Sequence, residues 1–216
     1  MQRVKEIRLQ VFRKNPTLAG VYLLLIGFFI FSAIISPQFR TSYNIFNLLR
    51  QAVAYGLVAL GQTLVILSAG IDLSVGSLIS LSACLASGLM FGNPNLVIPI
   101  IFLVLSLGAG IGIANGLIIT KLNIPPFITT LAMSSLLQGI VLLYTKKPIG
   151  GVTRGFMYFA NGQIGPIPFA VVFWVIIITV FLILLQKTSL GLHIYAVGGN
   201  QEVARLSGIN ISRILI

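Results

Sequence analysis

The stretch SAGIDLSVGS, residues 68–77, interrupts an apolar run too long to be one helix. Read as continuous, residues 51–91 would make a helix of about 60 Å at ~1.5 Å per residue, twice the ~30 Å hydrocarbon core of a bilayer. The run must break, and Gly70–Asp72 is where glycine and a carboxylate permit it. Asp72 is the only Asp, Glu, Lys, Arg or His between Arg50 and Lys121, and one of three acids in the whole chain. At the bilayer centre such an acid costs about 2.5–3.5 kcal/mol. At a turn by the membrane edge it accepts backbone N–H groups as the N-cap of the following span, where the helix dipole favours its charge. Gly70, Asp72, Ser74 and Gly76 are therefore read as one helix-turn motif.

Composition makes lipid part of the solvent. Of 216 residues, 57% are hydrophobic and 8% charged, against about 25% charged in soluble domains. Long uninterrupted apolar runs indicate helices, not a barrel. The net charge of +11 does not indicate nucleic acid, because the bases sit at segment ends and form no stripe with interleaved aromatics. A single cysteine, Cys84, excludes an internal disulfide framework and any multi-cysteine metal site.

Working outward from the break, six spans are expected at 17–36, 50–69, 73–92, 96–119, 126–145 and 166–186. They are punctuated by GNPN at 92–95, NIPP at 123–126 and GPIP at 165–168. Pro125 and Pro126 end one helix and suit the first turn of the next. The first apolar run is longer than a signal-peptide core and lacks a cleavage pattern, so it reads as an uncleaved span with a basic N-terminus, residues 1–16, on the cytoplasmic face and touching lipid headgroups. Five N-terminal bases, with Lys121, Lys187, Arg205 and Arg213, then fall inside. Arg40, Arg50, Lys146, Lys147 and Arg154 fall outside, a bias in the direction of the positive-inside rule. The loop 146–165 is expected to meet a soluble receptor through Lys146, Lys147 and Arg154, or else to be merely solvated. His193 lies outside the spans and reads as an ordinary loop residue.

Several features exclude or suggest chemistry. There is no phosphate loop of the G-x-x-x-x-G-K-[ST] type. GAGIGIANG at 108–116 places Gly108, Gly112 and Gly116 near one helix face, which suits close helix approach and not dinucleotide binding. Ser77, Ser80, Cys84 and Ser87 make a small, weakly polar face on the third span. Neutral polar side chains at Gln62, Ser77, Ser80, Asn115, Thr129, Thr130 and Gln138 are candidates to line a route for an uncharged solute. No relay of buried acids or histidines, as a proton-driven pump needs, is present.

Three stretches in order, GQTLVILSAGIDLSVGSL (61–78), NIPPFITTLAM (123–133) and TSLGLHIYAVGGNQEVARLSGIN (188–210), resemble the inner-membrane permeases of bacterial ABC importers for ribose, xylose, galactose and related sugars. The resemblance implies an all-α polytopic membrane bundle, a single permease domain over 1–216, with a cytoplasmic coupling loop at 187–212. It implies a transport subunit that is not itself an enzyme and that moves a small neutral sugar, a ribose-like pentose or a hexose. The expected partners are an ABC ATPase subunit, a second permease copy or homologue, and an extracytoplasmic sugar-binding protein. No catalytic residue, cofactor or metal is expected. In the loop, Gly198, Gly199, Asn200, Glu202, Ala204, Arg205 and Gly208 fall on the ATPase-coupling region, with Glu202, Ala204 and Gly208 on its E-A-A-x-x-x-G pattern. Val203 replaces the first alanine of that pattern, and Leu192 stands where relatives often carry a base. Val203, Leu206 and Ile209 would anchor this segment in a partner's groove. Because relatives continue into further spans, the resemblance implies an incomplete permease lacking C-terminal spans. Two rivals stand beside this reading: a branched-chain amino-acid permease of the same broad superfamily, and a non-transporting membrane scaffold or decayed permease fragment.

Overall fold

A computed structural model of the chain describes residues 16–147 and 150–216. The basic segment 1–15, on which the expected orientation leans, lies outside the described residues. The chain divides into two compact units, one ending at Leu49 and one running Arg50–Ile216.

In the first unit, helix α1 (Pro16–Ile35) leads through a 3₁₀ turn (Gln38–Arg40) to the start of α2 (Ser42–Leu67). Pro37 and the Ser36 hydroxyl, which accepts the Phe39 N–H at 3.3 Å, explain why α1 stops there. The Phe39 ring then meets Phe29 edge-on at 5.1 Å between centroids. The Thr41 hydroxyl accepts the Asn44 N–H at 3.3 Å and starts α2. This start lies well before residue 50, where hydropathy placed it. The polar run from Ser42 hides the first turns from an apolar window, and Arg50, expected at the outer end of the span, sits within the helix.

The second unit contains the rest of α2, then α3 (Val75–Met90), a 3₁₀ turn (Pro94–Leu96), α4 (Val97–Lys121) and α5 (Pro126–Tyr144). After these come α6 (Arg154–Asn161), a two-residue antiparallel ribbon of β1 (Gln163–Ile164) and β2 (Ile167–Pro168), and α7 (Phe169–Lys187). Three short helices follow: α8 (Ser189–Gly199), α9 (Gln201–Leu206) and α10 (Ile211–Leu215). All six expected spans are helices, and the fold is all-α and polytopic. By length and composition four of the described helices can cross a membrane, and the apolar stretches Ala19–Ile35 and Val75–Met90 are shorter. Pro125 and Pro126 act as expected: Pro125 occupies the N-cap of α5 and Pro126 its first turn.

Helix α3 packs against both α4 and α5, with Leu81, Ile100 and Leu137 buried. A hydrogen bond between the Ser77 and Ser134 hydroxyls at 2.8 Å ties α3 to α5. Of the small α3 face, Ser77 thus meets a neighbouring helix, whereas Ser80 is exposed. Most large apolar side chains of the long helices stay exposed, among them Phe102, Leu105, Leu136, Ile176 and Ile183. That is the arrangement expected where lipid is the outer solvent, since apolar surface there needs no covering. Conversely, Ser74, Asn115, Thr129 and Thr130 are buried.

Candidate functional site

The buried polar residues gather where α2 gives way to α3. Helix α2 ends in a pair of bonds, Gly70 N–H to the Val65 carbonyl at 2.8 Å and Ala69 N–H to the Ile66 carbonyl at 3.0 Å. This is the Schellman geometry, which needs a left-handed residue after the helix. Ala69 takes that conformation, with φ of 61°, where glycine would be unstrained. Gly70 follows with a Cβ position already 3.0 Å from a Val65 methyl.

The next residues form a turn held from three helices. The Asp72 carboxylate accepts both the N–H (2.7 Å) and the hydroxyl (2.6 Å) of Ser74. Asp72 is therefore not the N-cap of α3; Ser74 occupies that position, and the carboxylate acts two residues ahead of it. A carboxylate that accepts N–H groups reads alike in sequence at either place. From α2, the Gln62 amide donates to the Asp72 carbonyl at 2.6 Å. From α4, the Asn115 amide donates to the Ser74 hydroxyl at 3.2 Å. From α5, the Thr130 hydroxyl lies 3.0 Å from the Ile71 carbonyl and 2.9 Å from that of Pro126, so its proton is shared between the turn and its own helix. In an apolar surrounding, unpaired carbonyls at a chain break would each be costly, and these side chains supply the missing donors.

The short helices are built onto this end. At Gly198 of α8 a Cβ would run into the Leu67 carbonyl, so the α8 backbone seats directly on the last turn of α2. At Gly116 of α4 a Cβ would stand 2.8 Å from the Ile216 Cα, bringing α10 onto α4. Of the three α4 glycines, Gly116 alone is pressed this way; Gly112 has open space and Gly108 only an ordinary contact with Leu78. Helix α9 ends in a second Schellman pair, Ile209 N–H to Ala204 O and Gly208 N–H to Arg205 O, both 3.0 Å. Gly208 has φ of +82°, the turn its glycine anticipated. Asn200 caps α9 by accepting the Val203 N–H at 3.0 Å. Ala204 is buried, whereas Glu202, Val203, Arg205 and Leu206 are exposed, Leu206 at 79%. Glu202 and Arg205 pair at 2.8 Å on that exposed face. His193 lies within α8, not in a loop. A cavity of about 980 Å³ separates the turn from the short helices, lined by Asp72, Asn115, Gly116, Thr130, Ile194 and Arg205 among others.

The sequence-selected residues thus divide. Gly70, Asp72, Ser74, Gln62, Asn115 and Thr130 meet at one turn. Thr129, next to Thr130 in sequence, is buried, and among the described residues its hydroxyl has no hydrogen-bond partner. Ser77 faces Ser134, Ser80 bonds its own helix at the Gly76 carbonyl (3.1 Å), and Gln138 is exposed on α5. Gly76 and Gly199 have open space where a side chain would go. Gly198 meets the end of α2, a contact across more than a hundred residues with no local signal beyond the paired glycines.

A family model described as branched-chain amino acid transport system / permease component matches residues 44–216, which include the whole of this end. The chain belongs to this permease family. Among curated proteins it is 40% identical to the ribose import permease protein of Bacillus subtilis (strain 168), over 95% of this chain and 63% of that protein. It is 36% identical to the galactose/methyl galactoside import permease protein of Escherichia coli (strain K12), over 89% of this chain and 63% of that protein. It is 32% identical to the fructose import permease protein of Rhizobium meliloti, over 94% of this chain and 59% of that protein. The chain therefore spans less than two thirds of the length of these relatives. No solved structure matches it. For this permease-family chain the clasped turn and the short helices fall inside the matched region, as do all three stretches that first carried the resemblance.

Proposed function

We propose that this chain forms part of the membrane subunit of an ATP-driven importer for a small neutral sugar, a pentose such as ribose or a hexose. The observation that carries the reading is the seating of α8 on the last turn of α2 through Gly198 and of α10 on α4 through Gly116, with Glu202, Val203, Arg205 and Leu206 left exposed. Exposed apolar residues beside a fixed ion pair on a short helix suit a groove in a soluble partner. That partner is an ABC ATPase, the residues Gly198–Gly208 are its coupling surface within 187–212, and its closure pushes on α2 through Gly198. ATP is hydrolysed by the partner, and this chain supplies the route. The N-terminus and the turn then lie on the cytoplasmic side, and the opposite end receives sugar from an extracytoplasmic binding protein. A second permease copy or homologue completes the route.

The printed names of the relatives, all sugar import permeases, support the substrate class. So does the polar chemistry of the spans: exposed Ser80 and Gln138, and Asn115 at the cavity, carry neutral donors and acceptors matched to sugar hydroxyls. A branched-chain amino acid, which the family description names, brings two charges, and α3, α4 and α5 hold only Lys121, at an end, to meet them.

The test uses the membrane protein co-expressed with its ABC ATPase. Leu206→Asp and Glu202→Lys should leave membrane insertion intact and reduce ATPase co-purification at least tenfold. Undiminished co-purification in both would remove the coupling role. Uptake that is competed by leucine and not by ribose or galactose would overturn the substrate class.

A further inference from the structure

We infer that α2, α7 and α8 form one rigid frame, closed by three glycine contacts, in which Trp174 is the positioning residue that carries a displacement of α8 into the middle of the membrane. The contacts lie at the corners of the frame. In mid-span, a Cβ at Gly56 of α2 would overlap the Trp174 indole of α7. At the last turn of α7, a Cβ at Gly191 of α8 would run into the Leu185 carbonyl. At the last turn of α2, the Leu67 carbonyl stands in the same way against Gly198. Glycine at each place admits a backbone or a ring where a side chain would block it, which is how helices associate closely in lipid.

Register lets the three contacts coexist. Gly56 precedes Leu67 by eleven residues, and Trp174 precedes Leu185 by eleven. The two legs are therefore equal, about 16 Å each at ~1.5 Å per residue. Along α8, Gly191 and Gly198 are seven residues apart, two turns along one face and about 10 Å from each other. That is close to the spacing of two packed helices, about 8–10 Å. Ile194 and Val197, between the two glycines, are buried. Helix α8 thus lies across the ends of two legs whose spacing is set in mid-span by the indole. Two rods that touch at one point can pivot on it, and a crossbar fixed to both removes that freedom.

Trp174 serves this frame by its shape. It is the only tryptophan of the chain. Its indole nitrogen is buried and has no hydrogen-bond partner among the described residues, although a buried indole usually finds one. The ring is held by its fit over Gly56 and not by a polar bond.

The frame stands apart from the bundle beside it. Close packing joins α3, α4 and α5 to one another and α7 to α6 and α8, whereas among the described residues neither α2 nor α7 packs closely along α3, α4 or α5. The ties between frame and bundle are at the ends. At one end they are the 69–74 turn and α10, which touches both α4 and α8. At the other, Gly151 N–H donates to the Ser87 carbonyl at 3.0 Å, and Gly150, with φ of +77°, lies so close to that carbonyl that no Cβ fits. The same segment reaches α7 where Phe169 N–H donates to the Gly162 carbonyl at 2.9 Å. The cavity lies between the two bodies, with Leu64 and Ile194 on the frame side and Asn115 and Gly116 on the bundle side, so a displaced frame changes its width.

The frame itself does not depend on the ATPase reading; that closure of a partner drives it rests on that reading. The test uses the full chain, with Cys84→Ser, in lipid nanodiscs, with pairs of nitroxides at exposed positions and their distance distributions read by pulsed electron paramagnetic resonance. Tyr55→Cys/Ile176→Cys spans the frame, Ile79→Cys/Leu136→Cys spans the bundle, and Leu136→Cys/Ile176→Cys crosses between them; all four positions are exposed. The crossing distribution should be at least twofold wider than the other two. Trp174→Ala should at least double the width of the frame pair and leave the bundle pair unchanged, and Trp174→Phe should keep the frame pair narrow. A frame pair as wide as the crossing pair, or unmoved by Trp174→Ala, would overturn the inference. So would a crossing pair as narrow as the frame pair, which would make the chain one block. With the ABC ATPase bound and trapped by ATP and vanadate, the crossing distance should shift while the frame distance holds. Failure of the ATPase to bind would count against the proposed function alone, since the widths decide the frame without it.

Discussion

The two ends of the Arg50–Ile216 unit are closed in different ways. At the end holding the 70–74 turn, side chains from α2, α4 and α5 reach in to satisfy backbone carbonyls and a serine hydroxyl, and helices are seated through glycines at 116 and 198. At the end holding 150–168, closure is by main-chain bonds between 87–92 and 150–151 and by tilted and edge-on aromatic contacts around Phe169. The first kind of closure links several helices to one small turn, so a push on any of them is felt by the others. The second fixes a local segment to the end of α3 and the start of α7.

The comparison can be broken most severely at the glycine contacts. Gly198→Val should cost about 3 kcal/mol, the upper range for overpacking against backbone that cannot yield, read as unfolding free energy in detergent micelles. Gly199→Val, next in sequence with open space around it, should cost under about 1 kcal/mol. Equal losses would mean that α8 is not seated on α2. At the opposite end, Gly150→Ala should cost about 2 kcal/mol, from a left-handed φ and a blocked carbonyl. Hydrogen exchange should rise at residues 150–161 while the 70–74 turn keeps its protection; loosening of both ends together would show that they are not separate closures.

Smaller changes sharpen the picture. Asn115→Ala removes the donor to Ser74 and should cost about 1–2 kcal/mol, whereas Gln138→Ala, on an exposed face, should change stability by less than about 0.5 kcal/mol. A cost at Gln138 matching that at Asn115 would argue against the clasp. Ala69→Gly should stabilise the chain by about 0.5 kcal/mol, since it relieves a left-handed alanine at some expense in backbone entropy. A destabilised Ala69→Gly variant would show that the Ala69 methyl packs more tightly than its φ alone implies.

Much of this fold was legible because lipid makes hydropathy a direct readout of spans. The breaks at Gly70, at Pro125–Pro126 and near residue 165 all fell where turn chemistry placed them. The start of α2 was missed because its first turns are polar, and α6 because eight residues with mixed glycine, aromatics and asparagine show no helical run that outweighs a loop reading. Among the site residues, Asp72 and Gly208 announced themselves through an isolated charge and a helix-stop glycine. Gln62, Asn115 and Thr130 were selected as polar residues in apolar spans, yet their common target was not readable, since it depends on which helix faces turn toward residues 71–74.

By itself the sequence determined that the chain crosses a membrane, how often it turns, and that one acid had to sit at a break. Each of these follows from local cost: charge in hydrocarbon, unpaired backbone, or a helix longer than the bilayer is thick. Only the tertiary structure decided that three helices share one clasped turn, that Gly198 seats α8 on α2, and that the Phe169 ring meets Tyr158 and Phe159 of α6. Those contacts join residues tens to more than a hundred positions apart. Their geometry is set by helix rotation and close backbone approach, which a string of side-chain types does not encode.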